Sequence, residues 1–499
     1  MASDAPRGVV FPADEQGRRS TSDLGRGVVA DAFRAADPAA ANAAASEHDW
    51  RSGYLTPFRR LVEAGLPSRE AALRIAQTGL ESLHARMQVR TDEGKEHSLD
   101  RIWDDVVDRP QTGRVVGSGE PARELSLPYR GERLAGSVLR RRLDAWVEAG
   151  VIEPSCAEAV RQVADNPDWL DLSDQTVAVL GAGAEMGPLI SLLRWGGTVA
   201  AVDLPRPAIW ERLISTARSS AGTLLAPLSL AADPGGEDAA LAHSAGADLL
   251  HELPAVAAWL GGIEGPMTLG NYVYADGATN VRLSVAVDAL TAHLTAQRPD
   301  IALAFLATPT DVFAVPAAAV EQSRSAYAAS RPARRLARRS LNTVSRGRLL
   351  RPAYPTGTTE AGITEPAICD ALVPQQGPNY ALAKRLQRWR AAVARDAGST
   401  VSFTVAPPTR TRSVVKNKAL AAAYAGAHRF GVEVFDPATS NTLMAALLVH
   451  DLRTRPAAKP LPWQDEADAA AHGGLWRTAY EPRSALGLAA LLGLGVARS

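Results

Sequence analysis

Apolar positions along this chain fall into two regimes. Through the first third they recur at helical spacing: Leu61, Ala64 and Leu66, then Ala72, Leu73, Ile75, Leu80, Leu83 and Met87, and later Leu134, Val138, Leu143, Trp146 and Val147. Residues 1–46 show little sustained periodicity, so a loose start and a partly helical continuation are expected, and a loop around 110–128. After about residue 170 the pattern changes. Short apolar runs at 176–180, 199–202, 223–230, 267–274, 301–307 and 400–405 read as strands. Between them lie helical stretches: 189–193, 239–260 with interruptions near Gly246 and Pro254, and 281–294 with Leu283, Val287, Leu290 and Leu294 inward. A further one at 441–452 turns Leu443, Ala446 and Leu447 inward.

Strands alternating with helices imply an α/β fold, a doubly wound parallel sheet of the Rossmann type, whose ligand belongs at the carboxyl ends of the strands. The first strand runs into Gly181, Gly183 and Gly187, and Asp203 closes the second. Glycine backbone lets a turn approach a pyrophosphate, and an acid at the second strand's tip can accept from a ribose hydroxyl. Asp203 favours NAD over NADP because a 2′-phosphate would meet its charge, whereas Arg206 three residues on could hold that phosphate. The spacing is GxGxxxG, and two other readings stay open. One is a tight turn with no ligand. The other is an S-adenosylmethionine site, against which stand Val179 and Glu185, at positions where a methyltransferase usually has a carboxylate and a glycine.

Charge narrows the range of partners. Lys plus Arg and Asp plus Glu are both 54, so no global field draws the 499-residue chain to nucleic acid or a membrane. The two cysteines, Cys156 and Cys369, fit a reducing cytoplasm and no cysteine-rich metal site, and no apolar stretch is long enough to span a bilayer. His84, His97, His243 and His251 have no partners at metal-ligand spacing, so no metal is expected. The organisation expected is a mainly helical domain over 1–170, for dimerisation or for covering the cleft, and a nucleotide-binding half over 171–317. An Arg-rich insertion at 318–369, the second part of the nucleotide domain at 370–460 and a tail at 461–499 follow. The insertion carries Arg324, Arg331, Arg334, Arg335, Arg338, Arg339, Arg346, Arg348 and Arg351. It reads as a solvated helix and loop, or as a site for a phosphate-bearing substrate, an acidic carrier or a partner surface. The segment 354–374 reads as a loop that could lie over the site, and the apolar run 486–496 as a buried helix or a subunit contact in a homo-oligomer.

Tyr380 and Lys384 stand at i and i+4 at the start of a helix, so both project from one face. A phenol with an ordinary pKa near 10 does acid/base work at neutral pH only with help, which a neighbouring ammonium can give. A strand ending in Ala406, Pro407 and Pro408 follows this helix. With the glycine turn, the Tyr-x-x-x-Lys helix between the fifth and sixth strands and the proline loop, the chain resembles the short-chain dehydrogenase/reductase superfamily over 171–317 and 370–455. The resemblance implies that Tyr380 is the acid/base, that Lys384 lowers its pKa and binds ribose, and that Thr308, with Thr310 as a second choice, orients the reacting oxygen. It further implies that Asn280 relays protons through the lysine, that Asn271 meets the cofactor where the fourth strand ends, and that Thr411 or Ser413 touches the nicotinamide amide. The activity expected is hydride transfer between NAD or NADP and a small carbonyl or alcohol substrate. A catalytically silent nucleotide-binding module is the alternative.

Overall fold

The computed structural model describes residues 7–104, 107–233, 235–329, 336, 340–354 and 366–494. A seven-stranded sheet lies at its centre. In chain order its strands are β1 Gln111–Val116, β2 Thr176–Leu180, β3 Thr198–Val202, β4 Thr223–Leu228, β5 Met267–Asn271, β6 Ala302–Ala307 and β7 Val401–Val405. Across the sheet they run β1-β4-β3-β2-β5-β6-β7, all parallel except β1, which is antiparallel to β4. Counted among themselves, the six parallel strands take the order 3-2-1-4-5-6, an α/β arrangement compatible with a Rossmann-like fold. The order reverses between β2 and β5, where such sheets open a ligand crevice.

Alternation along each strand builds two cores. Ala178, Leu180, Leu269, Leu303 and Phe305 face one, together with Phe33, Leu83, Val285 and Leu290. Val177, Val179, Val199, Ala201 and Leu306 face the other, with Trp146, Val160, Trp210 and Leu447. Both faces are covered, which is why these strands read as nearly continuous apolar runs.

Residues 1–170, expected as one mainly helical unit, divide between the two faces. The helices Thr21–Phe33, Leu55–Gly65 and Arg69–Arg86 supply the first core, and Gly136–Glu148 and Pro154–Asp165 the second. The expected loop at 110–128 contains β1, registered from Gln111 opposite Leu228 to Val116 opposite Thr223. An edge strand needs few apolar residues, and Gln111-Thr-Gly-Arg-Val-Val buries the side chain of Val115 while Val116 stays exposed. The start is also less loose than its composition suggests. Gly8–Val10 pairs with Gln88–Arg90, and the Val9 carbonyl accepts from Arg282 Nε. Three residues are too few to show a period.

Past β6, the hairpin strand Val312–Val315 pairs with Ala367–Asp370, and the helix Ala317–Ala328 opens the segment between them. Arg331, Arg334, Arg335, Arg338 and Arg339 lie outside the described residues, as does most of the expected loop at 354–374. The C-terminal helix Pro482–Gly493 packs on Lys418–Gly426 and leaves Leu491 and Leu492 exposed; Val496 lies outside the described residues. No helix among the described residues is long and apolar enough to cross a membrane.

Candidate active site

A cleft of about 1140 Å³ opens at the carboxyl ends of the parallel strands. Gly181, Gly183, Asp203, Arg206, Asn271, Asn280, Thr308, Tyr380, Lys384 and Thr411 all line it. Gly187 does not. Its N–H donates to the Ala184 carbonyl at 3.1 Å, closing the turn away from the cleft.

The glycine turn is tied to the second strand. Gly181 takes φ +81°, and a Cβ there would lie 3.0 Å from the Tyr272 carbonyl oxygen, so only glycine fits. Gly181 and Ala182 donate to the Val202 carbonyl, and Gly183 N–H donates to Asp203 Oδ2 at 2.7 Å. Asp203 Oδ1 accepts from its neighbour Leu204 at 2.8 Å. Each carboxylate oxygen keeps a lone pair for a further donor. Arg206 is exposed at the rim, while Arg212 reaches the Gly183 carbonyl at 3.1 Å.

For the pyrophosphate of a dinucleotide, the turn is a partial match. Gly181, Ala182, Gly183, Ala184 and Gly187 spend their N–H groups inside the protein, and the following helix, Leu189–Arg194, is a single short element capped by Pro188. Among the described residues no protein acceptor takes the N–H of Glu185 or Met186, and both residues line the cleft. These two donors, Asp203 and the size of the cleft fit a dinucleotide. Glu185 faces Arg412 across it, with carboxylate oxygens on the Arg412 N–H at 2.7 Å and Nε at 3.0 Å. That pair bridges the glycine turn to the loop after β7, which also carries Thr411, hydrogen-bonded to Ser413 at 3.0 Å.

Tyr380 and Lys384 project from the first turns of the helix Gly377–Asp396. Burial pushes the Tyr380 phenol up to about 12; the Thr308 hydroxyl beside it works against that rise, and Asp311 adds to it. Burial also lowers Lys384, to about 8, with Asp311 opposing. The expected stabilisation of the phenolate by Lys384 is not how the ammonium is placed. Its Nζ donates to the Leu306 carbonyl at 3.2 Å and to Gln387 Oε1 at 3.1 Å, and Gln387 Nε2 in turn donates to Asn271 Oδ1 at 3.2 Å. Asn280, expected as a relay, lines the cleft with its Oδ1 accepting from the Ala275 N–H at 3.1 Å, and the amide joined to Lys384 through Gln387 is Asn271. Thr308 shares a hydrogen bond with Thr310 at 2.9 Å, and Thr310 donates to Gln376 Oε1 at 2.9 Å, so the two candidate hydroxyls form one chain.

Four more residues at the site went unseen in the sequence. Tyr274, whose phenol donates to Asp276 at 2.9 Å, stands edge-on to Tyr380 with ring centroids 6.4 Å apart. Tyr424 lines the cleft from the helix Lys418–Gly426, Gln387 holds Lys384, and Asp311 lies beneath both Tyr380 and Lys384. Asp311 is held by Arg388 at 2.8 Å and Arg385 at 3.1 Å, and Arg388 also grips Glu466 with two contacts of 2.6 Å. Gln387 had a signal: a polar residue one turn after Lys384 in the same helix.

No protein-family model matches the chain. No curated protein matches it either.

Proposed function

We propose that this chain is an NAD(P)-dependent oxidoreductase, a divergent relative of the short-chain dehydrogenase/reductases, that moves hydride between a nicotinamide and a carbonyl or hydroxyl carbon. One observation carries the reading. The Tyr380 phenol and Thr308 hydroxyl meet in the same cleft, at the switch point of a parallel sheet, as the glycine turn and Asp203. Asp203, the N–H groups of Glu185 and Met186, and Asn271 would hold the dinucleotide, with Arg206 available to a 2′-phosphate and Thr411 to the nicotinamide end. When bound, the nicotinamide supplies or accepts the hydride. Tyr380 Oη holds the proton that the substrate oxygen gains on reduction and returns on oxidation. With its pKa near 12 it is a protonated donor at neutral pH, which suits the reducing direction. Thr308 orients the same oxygen. Lys384, positively charged below about pH 8, adds a cation at the ribose side.

A second reading draws on the placement of Lys384. An ammonium committed to Leu306 and Gln387 fits a nucleotide-binding module that no longer turns over. Fluorescence titration with NADH, NADPH and S-adenosylmethionine separates these readings. The proposal expects saturable binding of a reduced nicotinamide, lost in Gly183→Trp, where even a Cβ would lie 2.9 Å from Arg212 and 3.1 Å from Asp203 Oδ2. It also expects turnover of a carbonyl panel that Tyr380→Phe abolishes while NADH still binds. Binding without turnover, unchanged in Tyr380→Phe, favours the silent module. Binding of S-adenosylmethionine alone, or of none of the three, rejects the oxidoreductase.

A further inference from the structure

Next to the cleft lies a second, smaller cavity of about 70 Å³. Pro408 and Tyr424 line both spaces, and Thr310, hydrogen-bonded to Thr308, lines the smaller one. We infer that this cavity receives the alkyl chain of the substrate, so that the carbonyl or hydroxyl compound handled at Tyr380 and Thr308 carries an unbranched aliphatic tail of a few carbons. The inference rests on the oxidoreductase reading of the main cleft.

The cavity follows from how two helices meet. Lys418–Gly426 and Pro482–Gly493 touch backbone to backbone: a Cβ on Gly426 would lie 2.0 Å from the Ala489 carbonyl oxygen, and one on Gly493 would lie 1.9 Å from that of Ala422. Beside this contact the walls include Ala423, Ala427 and Ala485, too small to fill the space that the crossing leaves, and Leu486. Three of the neighbouring polar groups are already engaged. Thr310 serves Gln376, Thr478 Oγ1 donates to the Phe430 carbonyl at 2.6 Å, and Arg483 is paired with Asp370. Water needs two to four polar partners to settle in a cavity, and these walls offer it few, whereas a methylene needs none. The volume holds roughly five groups of water size. Pro408, which lines both spaces, is packed tightly on Gly473: at φ +65° that glycine admits the proline ring, whose Cδ would lie 2.3 Å from a Cβ there.

Calorimetric titration of the full chain with the 2-alkanones from 2-butanone to 2-decanone, without nucleotide, tests this. The dissociation constant is expected to fall roughly fourfold per added methylene and to level off after about five carbons. Ala423→Leu, which fills the cavity, should move the levelling point to a shorter chain. Leu486→Ala, which enlarges it, should move that point to a longer one and keeps the test alive if the first variant does not fold. Affinity independent of chain length, or a levelling point shared by wild type and Leu486→Ala, overturns the inference and leaves the cavity a packing void. Because no nucleotide is present, NADH titration fails or succeeds separately: loss of NADH binding removes the oxidoreductase reading, whereas the chain-length break alone decides the cavity.

Discussion

Lys384→Met should change how stability depends on pH. A lysine in the unfolded chain titrates at its ordinary 10.5, whereas burial brings folded Lys384 to about 8. Between those values the unfolded chain holds the proton and the folded one does not, so wild-type stability rises with pH through that window. The slope is about 1.36 kcal/mol per pH unit, which gives the wild type about 2 kcal/mol over the variant's trend between pH 8 and 9.5. Lys384 is half-buried at a cleft open to water, so this figure is a ceiling. A comparison at pH 7 alone is less informative. There the variant escapes the cost of burying an ammonium but leaves Leu306 O and Gln387 Oε1 without their donor, at about 1–3 kcal/mol for each buried group. Urea unfolding of both proteins at half-unit steps from pH 7 to 9.5 isolates the effect, because the shared tyrosines and cysteines cancel in the difference. A gap between the two proteins that stays flat across the range refutes the burial argument for Lys384.

Asp288→Asn should cost about 3–5 kcal/mol at pH 7, since Asp288 is 3% exposed and accepts from Arg390 Nε and Nη2 and from His84, each at 2.7 Å. Burial opposes its charge, yet Arg390 and His84 hold its pKa at about 2, so the carboxylate's contribution is full above its unfolded 3.8 and is lost as pH falls through 2. Acid titration followed by circular dichroism should therefore show wild type and variant converging below pH 3.8; parallel curves contradict this. Gly79→Leu should lower the urea midpoint by an amount worth about 1–3 kcal/mol, because a Cβ there would already lie 2.4 Å from the Trp389 ring, and an unchanged midpoint would mean that the two helices separate freely. Gln387→Leu removes the link between Lys384 and Asn271 and should cost about 1–3 kcal/mol in the same assay; a neutral result would show that water replaces it.

Much of the fold over 171–317 was written locally. The run of strand, glycine turn and second strand is readable because its partners are near in sequence: Gly183 and Asp203, which hydrogen-bond to each other, are 20 residues apart. The strands of the parallel sheet were legible to within a few residues, since burial on both faces leaves an apolar run that needs no knowledge of its neighbours. β1 was not, because an edge strand with one wet face carries a weak pattern, and its partner β4 lies more than a hundred residues away in the chain.

The side chains of the site divide in the same way. Sequence alone set Tyr380 and Lys384 one helical turn apart and gave the chain a phenol, an ammonium and hydroxyls with the chemistry they carry anywhere. Tertiary structure decided that Thr308 would stand beside Tyr380, and that Lys384 would turn to Leu306 and Gln387. It also set Asp311 beneath them and opened an apolar cavity beside Pro408 and Tyr424. The physical reason is range. Helical and strand periods, tight turns and i to i+4 neighbours are fixed by bonds and sterics over a few residues, and so can be read along the chain. The desolvation of a charge, the choice among competing hydrogen-bond acceptors and the gap left by two crossing helices depend on groups brought together from distant segments, and they exist only once the chain has folded.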